Sequence, residues 1–141
     1  MTSIKSSITI NAPVDKVFDY TKPENLPEIW PSLVEVSNIK ELPGGGYTWD
    51  WKYKMAGMKF DGSSEHVEYV ENERTVAKST GIDSTITWSY EAVEGGTRMT
   101  AETDYTIPGS LLGKLAEPFV VKMNENESET ILANIKARLE E

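Results

Sequence analysis

The chain has 141 residues, of which 38% are hydrophobic and 26% are charged, as in an ordinary soluble globular protein. A formal net charge of −9 argues against nucleic acid as a partner and against stable docking on an anionic membrane. Without cysteine, disulfides and thiolate chemistry are excluded. No segment has the length of a membrane span or the features of a signal peptide. We therefore expect a cytoplasmic protein, monomeric rather than oligomeric, formed by one domain over residues 1–141.

The N-terminal third predicts one strand followed by two short helices. Residues 4–10 alternate between apolar and polar side chains, which is the pattern of a half-buried strand. Pro13 suits the first position of a helix. Pro23 can open a second helix, over residues 24–29, and Pro31 ends it.

From Leu33 onward the pattern is almost wholly that of β-structure. Strands are predicted at residues 33–41, 47–55, 58–70, 75–80, 82–92 and 99–107. Short turns between them require antiparallel pairing, because a parallel crossover needs about a dozen residues. Within the strand 58–70 the apolar positions change from even to odd numbers, which requires one extra residue. We predict this β-bulge near Gly62–Ser64, an arrangement that would turn His66 toward solvent.

The C-terminal segment, residues 108–141, is predicted to be one long helix with Ser110 at its N-cap and a kink at Pro118. Its apolar side chains fall on two nearly opposite faces. The front half presents Leu111, Leu112, Leu115, Phe119 and Met123, and the back half presents Val121, Ser128, Ile131, Leu132, Ile135 and Leu139. One face of the predicted sheet must be covered, and only this helix is long enough to do so. The prediction is an α+β fold with a seven-stranded antiparallel sheet wrapped around the C-terminal helix.

Four short stretches carry a family resemblance that spans the chain in order. They are Ile8-x-Ile10-x-Ala12-Pro13-x-x-x-Val17-Phe18, Trp30-Pro31, Glu94-Gly95-Gly96-Thr97 and Leu111-Leu112-Gly113-x-x-x-Glu117-Pro118. With the order of elements, they make the chain resemble the START-like superfamily, which has the helix-grip fold of polyketide cyclases/dehydrases and lipid-transfer domains. The resemblance implies a cavity between sheet and helix that takes one hydrophobic or amphipathic molecule. Where that branch usually carries basic residues, this chain has Met123, Asn124, Glu125 and Asn126.

Catalytic constellations are scarce in this sequence. The single histidine, His66, shares a strand face with Glu68, but without a second histidine or a cysteine it is a poor metal ligand. Residues 44–46 are three glycines with no helix after them, so they form a flexible turn and lack the geometry of a phosphate-binding loop. No metal or diffusible cofactor is expected.

Aromatic side chains on the predicted inner face of the sheet are the most informative feature. Inward aromatics usually fill a core, but this set combines apolar bodies with polar tips, which is typical of pocket walls. The candidate ligand-binding residues are Trp49, Trp51, Tyr53, Trp88, Tyr90, Met99, Thr103, Tyr105, Leu112, Leu115, Phe119 and Met123.

Three functions remain open from the sequence. The first is binding or transport of a small hydrophobic molecule, such as a lipid, an isoprenoid or an aromatic polyketide-like compound. The second is a cyclase/dehydratase-like enzyme in which Tyr53, Tyr105 or an inward carboxylate acts as general acid or base. The third is a co-chaperone-like interaction domain that uses the outer sheet face. That face carries Asp50, Lys52, Lys54, Glu102 and Asp104.

Overall fold

A single antiparallel sheet of seven strands dominates the computed structural model, which describes residues 2–140. The strands are β1 (Thr2–Ile10), β2 (Leu33–Glu41), β3 (Tyr47–Met55), β4 (Met58–Val70), β5 (Arg74–Thr80), β6 (Ser84–Val93) and β7 (Gly96–Tyr105). Their order across the sheet is β1-β7-β6-β5-β4-β3-β2. Each strand from β2 to β7 pairs with its neighbour in sequence, and β1 closes the far edge against β7.

The helices lie at two places in the chain. Between β1 and β2 come α1 (Val14–Tyr20), a 3-10 turn (Pro23–Asn25) and α2 (Leu26–Ile29). After β7 come the short helix α3 (Gly109–Leu112) and the long helix α4 (Glu117–Leu139). The predicted α+β helix-grip fold is confirmed. Among residues 2–140, none of the helices is both long enough and apolar enough to cross a membrane.

The alternation of buried and exposed side chains along β3 shows which face of the sheet is internal. Trp49, Trp51 and Met55 are buried, whereas Lys52 and Lys54 are exposed. Successive side chains in a strand point to opposite faces, so this pattern assigns the tryptophans to the interior, as predicted.

The β-bulge in β4 lies elsewhere than predicted. The pairing of β4 with β3 is regular through Gly62 and Ser64, and the register shift falls between His66 and Glu68, against β5. The extra residue is Val67, which is half exposed. The predicted position near Gly62–Ser64 was therefore wrong, and the solvent-facing placement of His66 was wrong with it. His66 stays on the inner face because the parity changes only after it.

The C-terminal segment is two helices and not one kinked helix. Gly113 follows the end of α3, and α4 begins only at Glu117, with Pro118 in its first turn. Proline is accepted there because the first helical amides have no intrahelical acceptor. Ser110, predicted as the N-cap, lies inside α3. The apparent change of face disappears once the helix starts at Glu117.

A single buried stripe holds α4 against the rest of the molecule. Its members are Val120, Ser128, Ile131, Leu132 and Ile135. The helix packs mainly on β1, where the hydroxyls of Ser128 and Ser6 form a hydrogen bond of 2.7 Å. Toward its C-terminal end, Lys136 Nζ donates to the carbonyl oxygen of Thr9 at 2.9 Å. The helix is thus anchored along β1, and its earlier turns border the space above the sheet.

Candidate functional site

A cavity of about 140 Å³ lies between the inner face of the sheet and helices α2 and α4. All four tryptophans of the chain line it. The other apolar lining residues are Ile4, Pro23, Leu26, Leu33, Met55, Ala77, Ile82, Ile86, Ala101 and Ile131. The polar lining residues are Thr21, Tyr53, Ser64, His66, Thr75, Ser79, Ser84, Thr103, Tyr105, Asn124, Glu127 and Ser128. The walls are therefore mostly apolar, with separate polar groups distributed over them.

Half of the predicted site residues border this space. Those that do are Trp49, Trp51, Tyr53, Trp88, Thr103 and Tyr105, all on strands. Of the others, Met99 is fully buried in the core, and the Tyr90 hydroxyl lies under α1, 2.6 Å from Thr21 Oγ1.

The predicted helical residues are placed differently from the strand residues. Leu112 and Phe119 are 46% and 58% exposed, respectively, while Leu115 and Met123 are partly buried against the core and do not line the cavity. None of these four side chains lies on the cavity wall, because α4 starts at Glu117 and turns other side chains inward. From α4 the cavity is lined instead by Asn124, Glu127, Ser128 and Ile131.

At one end of the cavity, a tyrosine, a tryptophan and a carboxylate form a group that we call the Tyr53 end. Trp30 Nε1 donates to the Tyr53 hydroxyl oxygen at 3.3 Å, and Glu127 Oε1 accepts from the backbone amide of Ser32 at 2.9 Å. Burial, with a smaller contribution from the nearby Glu127 carboxylate, raises the pKa of Tyr53 to about 12. The Tyr53 hydroxyl therefore keeps its proton at neutral pH and is available as a donor.

Tyr105 supplies a second hydroxyl from β7. Its oxygen accepts a hydrogen bond from Asn124 Nδ2 at 2.9 Å, and burial raises the pKa of Tyr105 above its ordinary value. Asn124 is one turn before Glu127 on α4, so the two polar side chains reach the cavity from the same helix face.

The opposite part of the cavity contains His66, which sequence reasoning placed in solvent. The Tyr47 backbone amide donates to His66 Nδ1 at 2.9 Å, and the imidazole lies 5.0 Å from each of the Trp49 and Tyr69 rings, between centroids. Burial lowers the pKa of His66 to about 4. The imidazole is thus neutral at pH 7, and because Nδ1 is an acceptor the proton resides on Nε2.

A glycine makes the position of His66 possible. A Cβ at Gly46 would lie 2.7 Å from His66 Cβ, and the φ of Gly46 is +85°. Any larger residue would be strained in this conformation and would also push the imidazole away. Gly46, the last glycine of the triple-glycine turn, is therefore a structural requirement of the site.

Polar groups in the middle of the cavity wall satisfy one another. Trp51 Nε1 donates to Ser64 Oγ at 3.0 Å, and Ser64 Oγ lies 2.6 Å from Ser79 Oγ. Because these three groups are already paired, the central wall offers a ligand mainly the apolar surface of the Trp51 indole.

Charge is sparse around the cavity. Among the described lining residues, the one acidic or basic side chain besides the neutral His66 is Glu127. Within residues 2–140, no cluster of three or more histidine and acidic side chains is placed to hold a metal ion. What the arrangement can do is enclose a mostly apolar molecule and hydrogen-bond it at defined points.

Comparison of the whole sequence with family descriptions decides its classification. Residues 1–140 match the family described as polyketide cyclase/dehydrase and lipid transport. The chain belongs to this family. The expected START-like relationship is therefore confirmed, and the family and the fold fit a ligand-binding or a cyclase/dehydrase-like role. A search of curated proteins finds no match to the sequence.

Several solved structures share the fold at low sequence identity. A protein of Thermus thermophilus has a TM-score of 0.80 and 22% identity, covering 98% of this chain and 97% of its own. A START superfamily protein from Mycobacterium smegmatis has a TM-score of 0.77 and 12% identity, covering 98% and 97%. The Zhui aromatase/cyclase from a Streptomyces species has a TM-score of 0.75 and 16% identity, covering 99% and 93%.

Sequence reasoning missed His66, Trp30, Asn124 and Glu127. Trp30 was noticed only as part of a helix-ending Trp-Pro pair. The two α4 residues had a usable signal, since proline at the first turn of a helix would have set Val120, Asn124, Glu127 and Ile131 on one face. The placement of His66 depended on which residue of β4 is the bulge, and the sequence offered several.

Proposed function

We propose that this protein binds a small amphipathic molecule in the cavity between the sheet and α4. The observation that carries the proposal is the composition of the wall, in which four indoles and several aliphatic side chains surround the space and single polar groups interrupt them. Such walls take up ligands through their apolar area and orient them through a few hydrogen bonds.

The dimensions favour a compact ligand. A volume of about 140 Å³ is close to that of a protein cavity of about 150 Å³ that binds benzene. A molecule with one aromatic ring and short substituents therefore fits without rearrangement. A long acyl chain or a polycyclic compound would require the walls to separate.

Binding is favoured over acid–base catalysis because the titratable groups are not tuned for it. A general acid or base works best with a pKa near the operating pH. The pKa of Tyr53 is raised to about 12 and that of His66 is lowered to about 4, so both are far from neutrality in opposite directions. Both groups are suited to donating hydrogen bonds from a fixed protonation state.

Tryptophan fluorescence offers the direct experiment, because all four tryptophans line the cavity. Titration with small apolar aromatics, excited at the red edge of the indole band, should give a saturable change, and a native mass spectrum should show one bound molecule. In Ala77→Leu, which fills part of the cavity from β5, we expect the fluorescence change to be lost. Lys78→Leu, the exposed neighbour on the opposite sheet face, is the matched control and should bind normally.

Two outcomes would contradict the proposal. One is equal binding by wild type and Ala77→Leu, which would place the ligand elsewhere. The other is multiple turnovers of a polyketide or acyl substrate, which would identify an enzyme.

A further inference from the structure

The polar groups around the cavity determine which charge a bound ligand can carry. The one fixed charge that the described lining residues supply is the carboxylate of Glu127. An anionic ligand would enter beside this carboxylate, leave water, and find no lysine or arginine on the described wall. Burying a charge without a counter-charge costs more free energy than a few apolar contacts restore.

Glu127 has unused capacity to accept a hydrogen bond. Its Oε1 accepts from the backbone amide of Ser32, and Oε2 has no hydrogen-bond partner within residues 2–140. The carboxylate is held in place by that backbone bond and by its position on α4 between Asn124 and Ser128. A hydroxyl group on a ligand would give Oε2 a charge-assisted bond, which is stronger than a bond between neutral groups.

The remaining polar groups are compatible with an uncharged partner. The Tyr53 hydroxyl oxygen accepts from Trp30 Nε1, and its proton can be donated to the same ligand oxygen. At the other side of the cavity, His66 keeps Nε2–H without an acceptor among residues 2–140. Thr48 on β3 pairs with Glu65 on β4, so His66 lies level with Tyr47, six residues from Tyr53, and the strand positions of the two polar groups are about 20 Å apart.

We propose that the ligand is an uncharged alcohol or phenol whose hydroxyl donates to Glu127 and accepts from Tyr53, and that carboxylates and phosphates are rejected. The inference rests on the proposed function and specifies the class of ligand. A protonated amine would also meet Glu127, but the apolar walls disfavour burial of a full positive charge, so the hydroxyl is preferred.

The experiment uses four probes with the same propyl-substituted ring: 4-propylphenol, 4-propylbenzoate, 4-propylbenzylamine and propylbenzene. Binding to the intact chain is measured by isothermal titration calorimetry near neutral pH. We expect the phenol to bind tightest, with the benzoate weaker by about tenfold or more. In Glu127→Gln the side-chain oxygen can still accept from Ser32, and the preference for phenol over benzoate should fall to about threefold or less. The matched control, Glu129→Gln, removes the same charge from an exposed position of α4 and should leave the preference unchanged.

The outcomes separate this inference from the proposed function. Benzoate or benzylamine binding as tightly as the phenol, propylbenzene matching the phenol, or an unchanged preference in Glu127→Gln would each overturn the hydroxyl assignment while the cavity remained a binding site. Failure of all four probes to bind would contradict the proposed function itself.

Discussion

Gly62 determines how closely the Trp51 indole lies against β4. The two residues are paired across β3 and β4, and a Cβ at position 62 would overlap both the Trp51 ring and the backbone carbonyl oxygen of Thr80. Backbone atoms on the neighbouring strand cannot move aside as a flexible side chain can. The absence of a side chain at Gly62 is therefore part of the cavity wall.

Gly62→Ala should destabilise the protein by about 2–3 kcal/mol, because the new methyl group overpacks a wall whose partner is backbone. Gly44→Ala is the matched control: no atom lies within 4 Å of its added Cβ, so its effect should stay within about 0.5 kcal/mol. Urea denaturation of the two variants makes the comparison. Equal midpoints would show that β4 and β5 can separate without cost.

His66 gives the protein a pH-dependent stability of defined sign. Its pKa is lowered to about 4 by burial, below the value of about 6.5 in an unfolded chain. Between these values the unfolded state binds the proton more readily, so the stabilisation present above about pH 6.5 is lost as the pH falls toward 4. The loss should be roughly 2 kcal/mol, less than the full shift implies because the ring keeps some contact with solvent.

The measurement is the free energy of unfolding of wild type and His66→Gln between about pH 7.5 and 4.5. The carboxyl groups titrate in both proteins, so their contributions cancel in the difference between the two free energies. The side-chain carbonyl of the glutamine in His66→Gln can still accept a hydrogen bond from the Tyr47 amide. We expect the wild-type advantage to shrink steadily below about pH 6.5. A difference that is independent of pH would show that the imidazole is accessible to protons in the folded protein.

At the scale of the element, α4 combines two tasks along its length. Leu132 and Ile135 are almost fully buried against the rest of the fold, whereas Phe119 in the first turn is 58% exposed. Between them, Asn124, Glu127 and Ser128 face the cavity. The helix is therefore anchored by its C-terminal half and presents polar groups to the cavity from its middle.

Ile135→Ala should lower the free energy of unfolding by about 2–5 kcal/mol, as for other fully buried aliphatic residues. Phe119→Ala should change it by no more than about 0.5 kcal/mol and should leave ligand binding intact, because the ring borders solvent. Chemical denaturation with a binding titration tests both variants. A large loss of affinity in Phe119→Ala would show instead that the first turn of α4 contacts the ligand.

The sequence was sufficient to predict the strands, but not the position of the β-bulge in β4 or the start of α4. The predicted boundaries of β2, β3 and β4 agree with the structure because alternation and glycine-rich turns mark them locally. The bulge at Val67 depends on which residue of β4 loses its partner on β5, a long-range choice that local alternation does not encode. Likewise, whether Pro118 kinks a helix or opens one depends on how the preceding loop leaves β7. The two errors misplaced His66 and the lining residues of α4.

For the molecule as a whole, the sheet, the α1–α2 region and α4 close around one space. The net charge of −9 lies almost entirely outside it, since Glu127 is the one charged residue on the described wall. An acidic surface around a cavity whose one charged residue on the described wall is Glu127 favours solubility in water and uptake of neutral molecules over anions. We therefore expect a neutral molecule to occupy the interior and not to adhere to the exposed apolar side chains.

The methyl groups of the isoleucines report at individual sites whether a ligand lies in the interior. Ile4, Ile82, Ile86 and Ile131 line the cavity, whereas Ile10, Ile29 and Ile135 are fully buried without lining it. In ¹³C-methyl NMR spectra, titration with 4-propylphenol should shift the first group saturably and leave the second nearly unchanged. Shifts confined to exposed Ile39, or no shift of the lining methyl groups while binding is detected by calorimetry, would contradict an interior site.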